Sequence, residues 1–167
     1  MSLSDQGTLI DRYRLIPRTL IFLTDGDQIL LLKGAPTKRL WANLYNGLGG
    51  HIERGEDVLS AAQRELREET GLDHVRLWLC GVITIDTGQD AGIAVYVLRG
   101  EMHQVNIQGS SEGSPEWIQL DKVPSLPLVE DLPVLLPRVL ACRPGDSPFS
   151  AHYQALPNTP LKIDFYR

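Results

Sequence analysis

The chain is poor in several things, and each shortage narrows the field. Among 167 residues there are two cysteines, too few for a disulfide framework. Cys80 and Cys142 sit in the apolar strings Leu79-Cys80-Gly81-Val82 and Leu140-Ala141-Cys142 and read as reduced, buried thiols. No apolar run approaches the ~18 residues of a membrane span. The opening Met1-Ser2-Leu3-Ser4-Asp5-Gln6-Gly7 has no basic stretch leading into an apolar one. A soluble, cytoplasmic protein with no membrane partner is expected. Positive charge is in deficit, with 16 Lys and Arg against 21 Asp and Glu and a net charge of −5. That argues against a nucleic-acid polymer as partner and means that an anionic ligand would need help from a metal. The four histidines, His51, His74, His103 and His152, lack the paired spacing of a zinc site. Repeats, low-complexity tracts and linkers are missing, so residues 1–167 are expected to form a single domain. With 43% hydrophobic and 22% charged residues, its core needs no staple.

What is present reads as mixed α/β. Residues 18–33 hold two β-type runs, 18–24 and 28–33, around an Asp25-Gly26 turn signal. Residues 34–46 are irregular and polar apart from Leu40, Trp41, Leu44 and Tyr45, which predicts a loop pinned by its aromatics. Helix formers fill 57–70 and Gly71 stands where a C′ glycine belongs. Strands are expected over 75–86 and 92–100, paired antiparallel, and a shorter one over 116–120. A second helix is expected near 130–142, with Pro133 in its first turn and Pro137 kinking it. Nine of the eleven prolines fall between 115 and 160, so the tail should consist of short, rigid elements ending in a weak hairpin of 149–154 and 161–166.

The chemistry gathers on the first helix. Glu65, Glu68 and Glu69 are spaced i, i+3, i+4, so three carboxylates share a face about 100° wide. Arg64 and Arg67 lie off that arc, leaving the repulsion to be met by another cation. Hard oxygen ligands in this arrangement suit Mg²⁺ or Mn²⁺, which bind through few protein oxygens plus substrate phosphates.

From Gly50 the chain runs Gly50, five residues, Glu56, seven residues, Arg64-Glu65-Leu66, one residue, Glu68-Glu69, one residue, Gly71-Leu72. This resembles the Nudix box, G-x5-E-x7-R-E-U-x-E-E-x-G-U with U aliphatic, over residues 50–72. Seven exact positions would coincide on the order of once in 10⁸ random placements. The resemblance implies an α/β/α sandwich with a mixed β-sheet and a catalytic loop-helix-loop. It also implies hydrolysis of a nucleoside diphosphate linked to some group X, with Mg²⁺ or Mn²⁺ bridging the phosphates and activating water. By resemblance, Glu65, Glu68, Glu69 and the Gly50 carbonyl hold metal. Glu56 and Gly71 are structural in the motif, and Arg64 pairs with Glu56 or touches phosphate. Glu112, five residues before Trp117, resembles the loop carboxylate that serves the family as metal ligand or general base. Either Glu65 or Glu112 would orient the water, with Glu116 a weaker competitor because it should join the strand.

Substrate signatures are sparser. Thr87 and Gln89 stand where the ADP-ribose type resembles a proline and the dinucleoside polyphosphate type a tyrosine. The coenzyme A signature is not found in residues 30–46. The chain is more similar to the MutT-like group acting on oxidised purine nucleoside triphosphates. Asn46, in Tyr45-Asn46-Gly47-Leu48-Gly49-Gly50, resembles the amide that reads the purine edge. Glu130 and Asp131 resemble the carboxylates that contact the oxidised base. Leu128 stands where the mammalian enzymes present a stacking tryptophan, and Trp41 or Tyr45 could substitute. Trp41 and Trp78 read first as packing residues. Lys33, Lys38 and Arg39 precede the glycine loop and are candidate phosphate contacts, although solvated surface is the commoner fate of such residues. Lys33 is expected to bind substrate. The expected reaction is a triphosphate cleaved to monophosphate and pyrophosphate by a monomer or homodimer with a small-molecule nucleotide substrate. Alternatives are another nucleotide diphosphate derivative, such as a nucleotide sugar or ADP-ribose, and a non-catalytic nucleotide-sensing module.

Overall fold

The computed structural model describes residues 12–103 and 107–166. Residues 1–7, read above for a leader pattern, lie outside the described residues. Eight strands form one mixed sheet: β1 (Arg14–Asp25), β2 (Gln28–Gly34), β3 (Tyr45–Asn46), β4 (Leu77–Asp86), β5 (Ala91–Glu101), β6 (Gly113–Gln119), β7 (Phe149–Gln154) and β8 (Lys162–Tyr166). Their order is β3-β2-β1-β5-β4-β7-β8, with β6 on the remaining edge of β2. Helix α1 (Val58–Thr70) and helix α2 (Leu132–Ala141) cover opposite faces.

Alternation along the strands supplies both faces. In β1, Ile21 and Leu23 point to α1, where they meet Ala62 and Leu66. Phe22 points the other way, into a cluster with Leu132, Leu135 and Val139 of α2. The expected α/β/α sandwich is therefore the fold observed.

β1 runs longer than its central apolar residues suggested, because it pairs in parallel with β5 from Arg14 to Thr24. It leaves β2 beyond the register pair Leu23–Leu30, and the chain after β3 fills the gap: Leu48 exchanges backbone hydrogen bonds with Ile21, and the Gly50 carbonyl accepts from Thr19 N–H at 2.8 Å. The glycine loop is thus spliced into the sheet. The C-terminal hairpin is a full part of the sheet, since β7 pairs in parallel with β4 over Gly81–Asp86. Helix α2 continues through Pro137 to Ala141. Arg99, on β5, donates to the carbonyls of Leu140 (2.6 Å) and Cys142 (3.0 Å), closing the helix's C-terminus.

Helix α1 has defined ends. Asp57 caps it by accepting from Leu59 N–H (2.8 Å) and Ser60 N–H (3.0 Å). Gly71, at φ 74°, takes the left-handed C′ position and donates to the Arg67 carbonyl. No helix of the described residues is long and apolar enough to cross a membrane.

Candidate active site

Helix α1 and the glycine loop face each other across one end of a cavity of about 570 Å³. Gly50 has no Cβ, and one placed there would lie 2.5 Å from Glu65 Oε1, so the Glu65 carboxylate can rest against the loop only because residue 50 is glycine. Glu69 is 3% exposed and accepts from Gly49 N–H at 2.8 Å. Burial pushes its pKa up to about 8, against the Gly49 hydrogen bond, and the nearby Glu65 and Glu112 charges add to the rise. Glu65, Glu69 and Glu112 line this end together. Glu112 pairs with Lys38 at 2.8 Å, so Lys38, expected to be solvated surface, ties the 35–44 loop to the acidic end.

Arg64 corrects the expectation that the carboxylates lack a cation on their own helix. Its Cα lies off their arc, but its long side chain reaches back, with Nη1 at 2.8 Å from Glu65 and 3.2 Å from Glu68. Its Nε and Nη2 take Glu56 at 2.7 and 3.0 Å, and Nη2 also donates to the His51 carbonyl. Arg64 therefore pairs with Glu56, as the motif implied, and does not line the cavity. The guanidinium holds the Glu56 carboxyl down near a pKa of about 2, assisted by Glu53 N–H. Glu68 is more than half exposed and lies outside the lining. Among the described residues no three acidic, His or Cys side chains converge as a ready-made cation cluster, which agrees with Arg64 holding two of the carboxylates.

The other end of the cavity is apolar, walled by Leu20, Ile83, Ile85, Val95, Val129 and Leu161, with Asn46, Glu130, Asp131 and Tyr153 as its polar groups. Asn46 Oδ1 accepts from Gly47 N–H at 2.8 Å, which fixes the plane of the amide. Asp131 is the N-cap residue of α2, yet its carboxyl makes no capping hydrogen bond. Burial raises its pKa from the ordinary carboxylate value.

The structure does not bring Lys33 to the cavity. Leu32 and Asn46 pair across β2 and β3 and line it; Lys33 and Tyr45 are the next pair and face away by strand alternation. The Lys33 ammonium lies 5.6 Å from the Tyr45 ring centre. Tyr45 is equally unavailable for stacking, being buried with its hydroxyl on Glu116 at 2.8 Å. Trp41, read first as packing, is 44% exposed and lines the cavity. Leu128 does not line it, whereas Val129 does. Sequence reasoning missed Tyr153 altogether, because only the β4–β7 pairing brings it beside Ile85.

The NUDIX domain family matches residues 14–139. The chain belongs to the Nudix family. It is similar to the oxidized purine nucleoside triphosphate hydrolase of Mus musculus, at 30% identity over 129 residues, 74% of this chain and 81% of the relative. The enzyme of the same description from Danio rerio is 32% identical over 107 residues, 64% of this chain and 67% of the relative. Among solved structures, the mutator MutT protein from Bacillus halodurans superposes with a TM-score of 0.75 at 25% identity, over 90% of this chain and 97% of that one. The chain is accordingly a Nudix pyrophosphohydrolase of nucleotide derivatives. In this Nudix domain the box spans the loop that touches β1 and the helix that faces it, so its spacing is the spacing needed to set Glu65 and Glu69 against Gly50 and Gly49.

Proposed function

We propose that this Nudix domain hydrolyses purine nucleoside triphosphates, oxidised purines among them, to the monophosphate and pyrophosphate. The observation that carries the reading is the single cavity with an acidic end and an apolar end tipped by an amide and two carboxyls. Such a shape takes an elongated ligand with phosphates at one end and a flat heterocycle at the other. The similarity to the mouse and zebrafish enzymes supports the same substrate class.

Glu65, Glu68, Glu69 and Glu112, with the second lone pair of the Gly50 carbonyl, would hold Mg²⁺ or Mn²⁺. The fit rests on this structure: all are hard oxygen donors, the missing Cβ at Gly50 keeps Glu65 against the loop, and Glu69 is a buried carboxyl that prefers a proton or a cation to standing bare. Bound there, the ion supplies charge neutralisation for the phosphates and a more acidic water. Glu69, fixed by Gly49 N–H, presents its carboxylate to the acidic end of the cavity without having to reorganise. Arg64 draws Glu65 and Glu68 together and is itself braced by Glu56, so it positions carboxylates and does not touch phosphate. Glu65 or Glu112 takes the proton from water. Asn46, Glu130 and Asp131 meet the base, and Trp41 supplies a face for it.

The test is incubation with Mg²⁺ and a panel of dNTPs, their 8-oxo forms, ADP-ribose and nucleotide sugars, identifying each product, with Glu68→Gln and a chelator as controls. Preferential conversion of an oxidised purine triphosphate, lost in both controls, is expected. Turnover of ADP-ribose or a nucleotide sugar alone would replace the triphosphate reading.

A further inference from the structure

The apolar end of the cavity holds a buried polar group that the fold pairs incompletely. Tyr153 is 2% exposed, sits on β7 beside Ile85 of β4 and lines the cavity. Its hydroxyl is fully buried and makes no hydrogen bond of good geometry with any described residue. Leaving such a group unpaired is unfavourable, so native proteins rarely tolerate it without a ligand or a functional reason. Asp131 is the acid it faces, and burial, that neighbouring charge and the close contact with its carboxyl together keep the phenol protonated. Asp131 leaves its own helix uncapped and is itself half-buried. Two polar side chains from elements 22 residues apart in sequence thus converge on an aliphatic pocket as a close but poorly aligned pair that leaves bonding capacity over for a ligand.

We propose that Tyr153 is a specificity-determining residue: its hydroxyl, side by side with the Asp131 carboxyl, hydrogen-bonds a polar edge of the substrate's base, so the C-terminal hairpin takes part in base choice. A hydroxyl offers one donor and two acceptor positions. It therefore favours a base carrying a carbonyl, amino or ring N–H at that edge and disfavours one presenting only C–H. A site built to pair a polar group rejects an analogue without it more strongly than an apolar site rejects a change of size. The inference rests on the triphosphate reading only in its choice of probe.

The experiment compares wild type with Tyr153→Phe in metal-free titration calorimetry, using 8-oxo-dGMP and the deoxyribonucleoside monophosphate of unsubstituted purine. Steady-state turnover of 8-oxo-dGTP and melting of the free protein accompany it. Expected are a loss of about tenfold in the preference for 8-oxo-dGMP, a KM for 8-oxo-dGTP raised by a similar factor with kcat within about twofold, and a free-protein melting temperature that does not fall. Equal weakening for both nucleotides, no weakening for either, or a wild type that binds neither overturns the proposal. So does a lowered melting temperature with unchanged preference, which would give the hydroxyl a structural partner. A wild type that binds the monophosphates but cleaves no triphosphate sinks the triphosphate reading and leaves the Tyr153 comparison decisive.

Discussion

The two ends of the cavity are built in opposite ways. At the acidic end, Gly49, Gly50, Glu65 and Glu69, together with Glu56, Arg64 and Glu68 that flank them outside the cavity, come from one stretch of 21 residues, while Lys38 and Glu112 arrive from elsewhere. Helix periodicity and one loop splice place them all. At the apolar end, Leu20, Asn46, Ile85, Asp131 and Tyr153 come from five separate elements and meet because one sheet carries β3, β1, β4 and β7 and α2 packs on its face. Chemistry that needs fixed geometry among a few groups can be written locally and kept as a unit, whereas a pocket assembled from distant strands can change residue by residue without disturbing that unit. Variants at the acidic end should therefore change turnover on every substrate, and those at the apolar end should change which substrate is preferred.

The largest effect is expected at Glu69. Glu69→Gln should lower kcat/KM by about 10³-fold or more, because the oxygen proposed here as a metal ligand, worth several kcal/mol to the transition state, would be lost. It should also stabilise the metal-free fold. The folded-state pKa of Glu69 lies near 8, above the ordinary carboxylate value, so its contribution to stability is present at low pH and is lost as pH rises from about 4.5 to about 8. At pH 7 the substitution should recover on the order of 3 kcal/mol and flatten that part of the stability profile in the absence of metal. A divalent ion must displace the same proton, so apparent metal affinity should climb with pH over this window. A Glu69→Gln protein that melts lower than wild type without metal would show that the carboxylate is satisfied by the fold itself.

Next in size is Trp41→Ala. Its indole is an exposed aromatic face at the cavity, whereas Tyr153 is buried in the wall and Leu128 and Tyr45 do not line it. Losing a stacking contact worth about 1–3 kcal/mol should raise KM for purine substrates by roughly five- to a hundredfold and leave kcat nearly unchanged. A fall in kcat with steady KM would move Trp41 from the base to the acidic end. Glu56→Gln follows, expected to reduce activity about tenfold on all substrates, the usual order for a residue that orients ligands without being one. With Glu56 neutral, the Arg64 guanidinium is freed to tighten on Glu65 and Glu68. Raised Mg²⁺ should restore part of the loss, whereas a change in base preference would break the division between the two ends.

That division also explains what was legible beforehand. Local rules identified α1 to within a residue, with Asp57 and Gly71 closing it, and grouped Glu65 with Glu69 from spacing alone. The same rules placed Arg64 off the carboxylate arc, because they count Cα positions and ignore the reach of a long side chain. The sandwich followed from strand and helix signals together with the box. The joining of β7 to β4 did not, since parallel pairing between distant segments leaves no periodic trace in either strand. Tyr153 was invisible for that reason. Lys38 was underrated for a related one: its partner Glu112 lies 74 residues away.

Lys33 gives the smallest expected effect and the cleanest test of the strand geometry. Basic residues ahead of a glycine loop invite assignment to phosphate, and sequence reasoning made it here. In β2, however, Leu32 faces the cavity with Asn46, and a period of two turns the next side chain away. There the ammonium lies over Tyr45 at 5.6 Å, a contact worth about 0.5–1 kcal/mol of stability at an exposed site. Lys33→Met should accordingly leave kcat and KM within about twofold for every substrate while lowering the melting temperature slightly. A KM raised tenfold or more for triphosphates but not for monophosphates would mean that the ammonium reaches the polyphosphate from the opposite side of the strand, and the register of β2 against β3 would have to be redrawn.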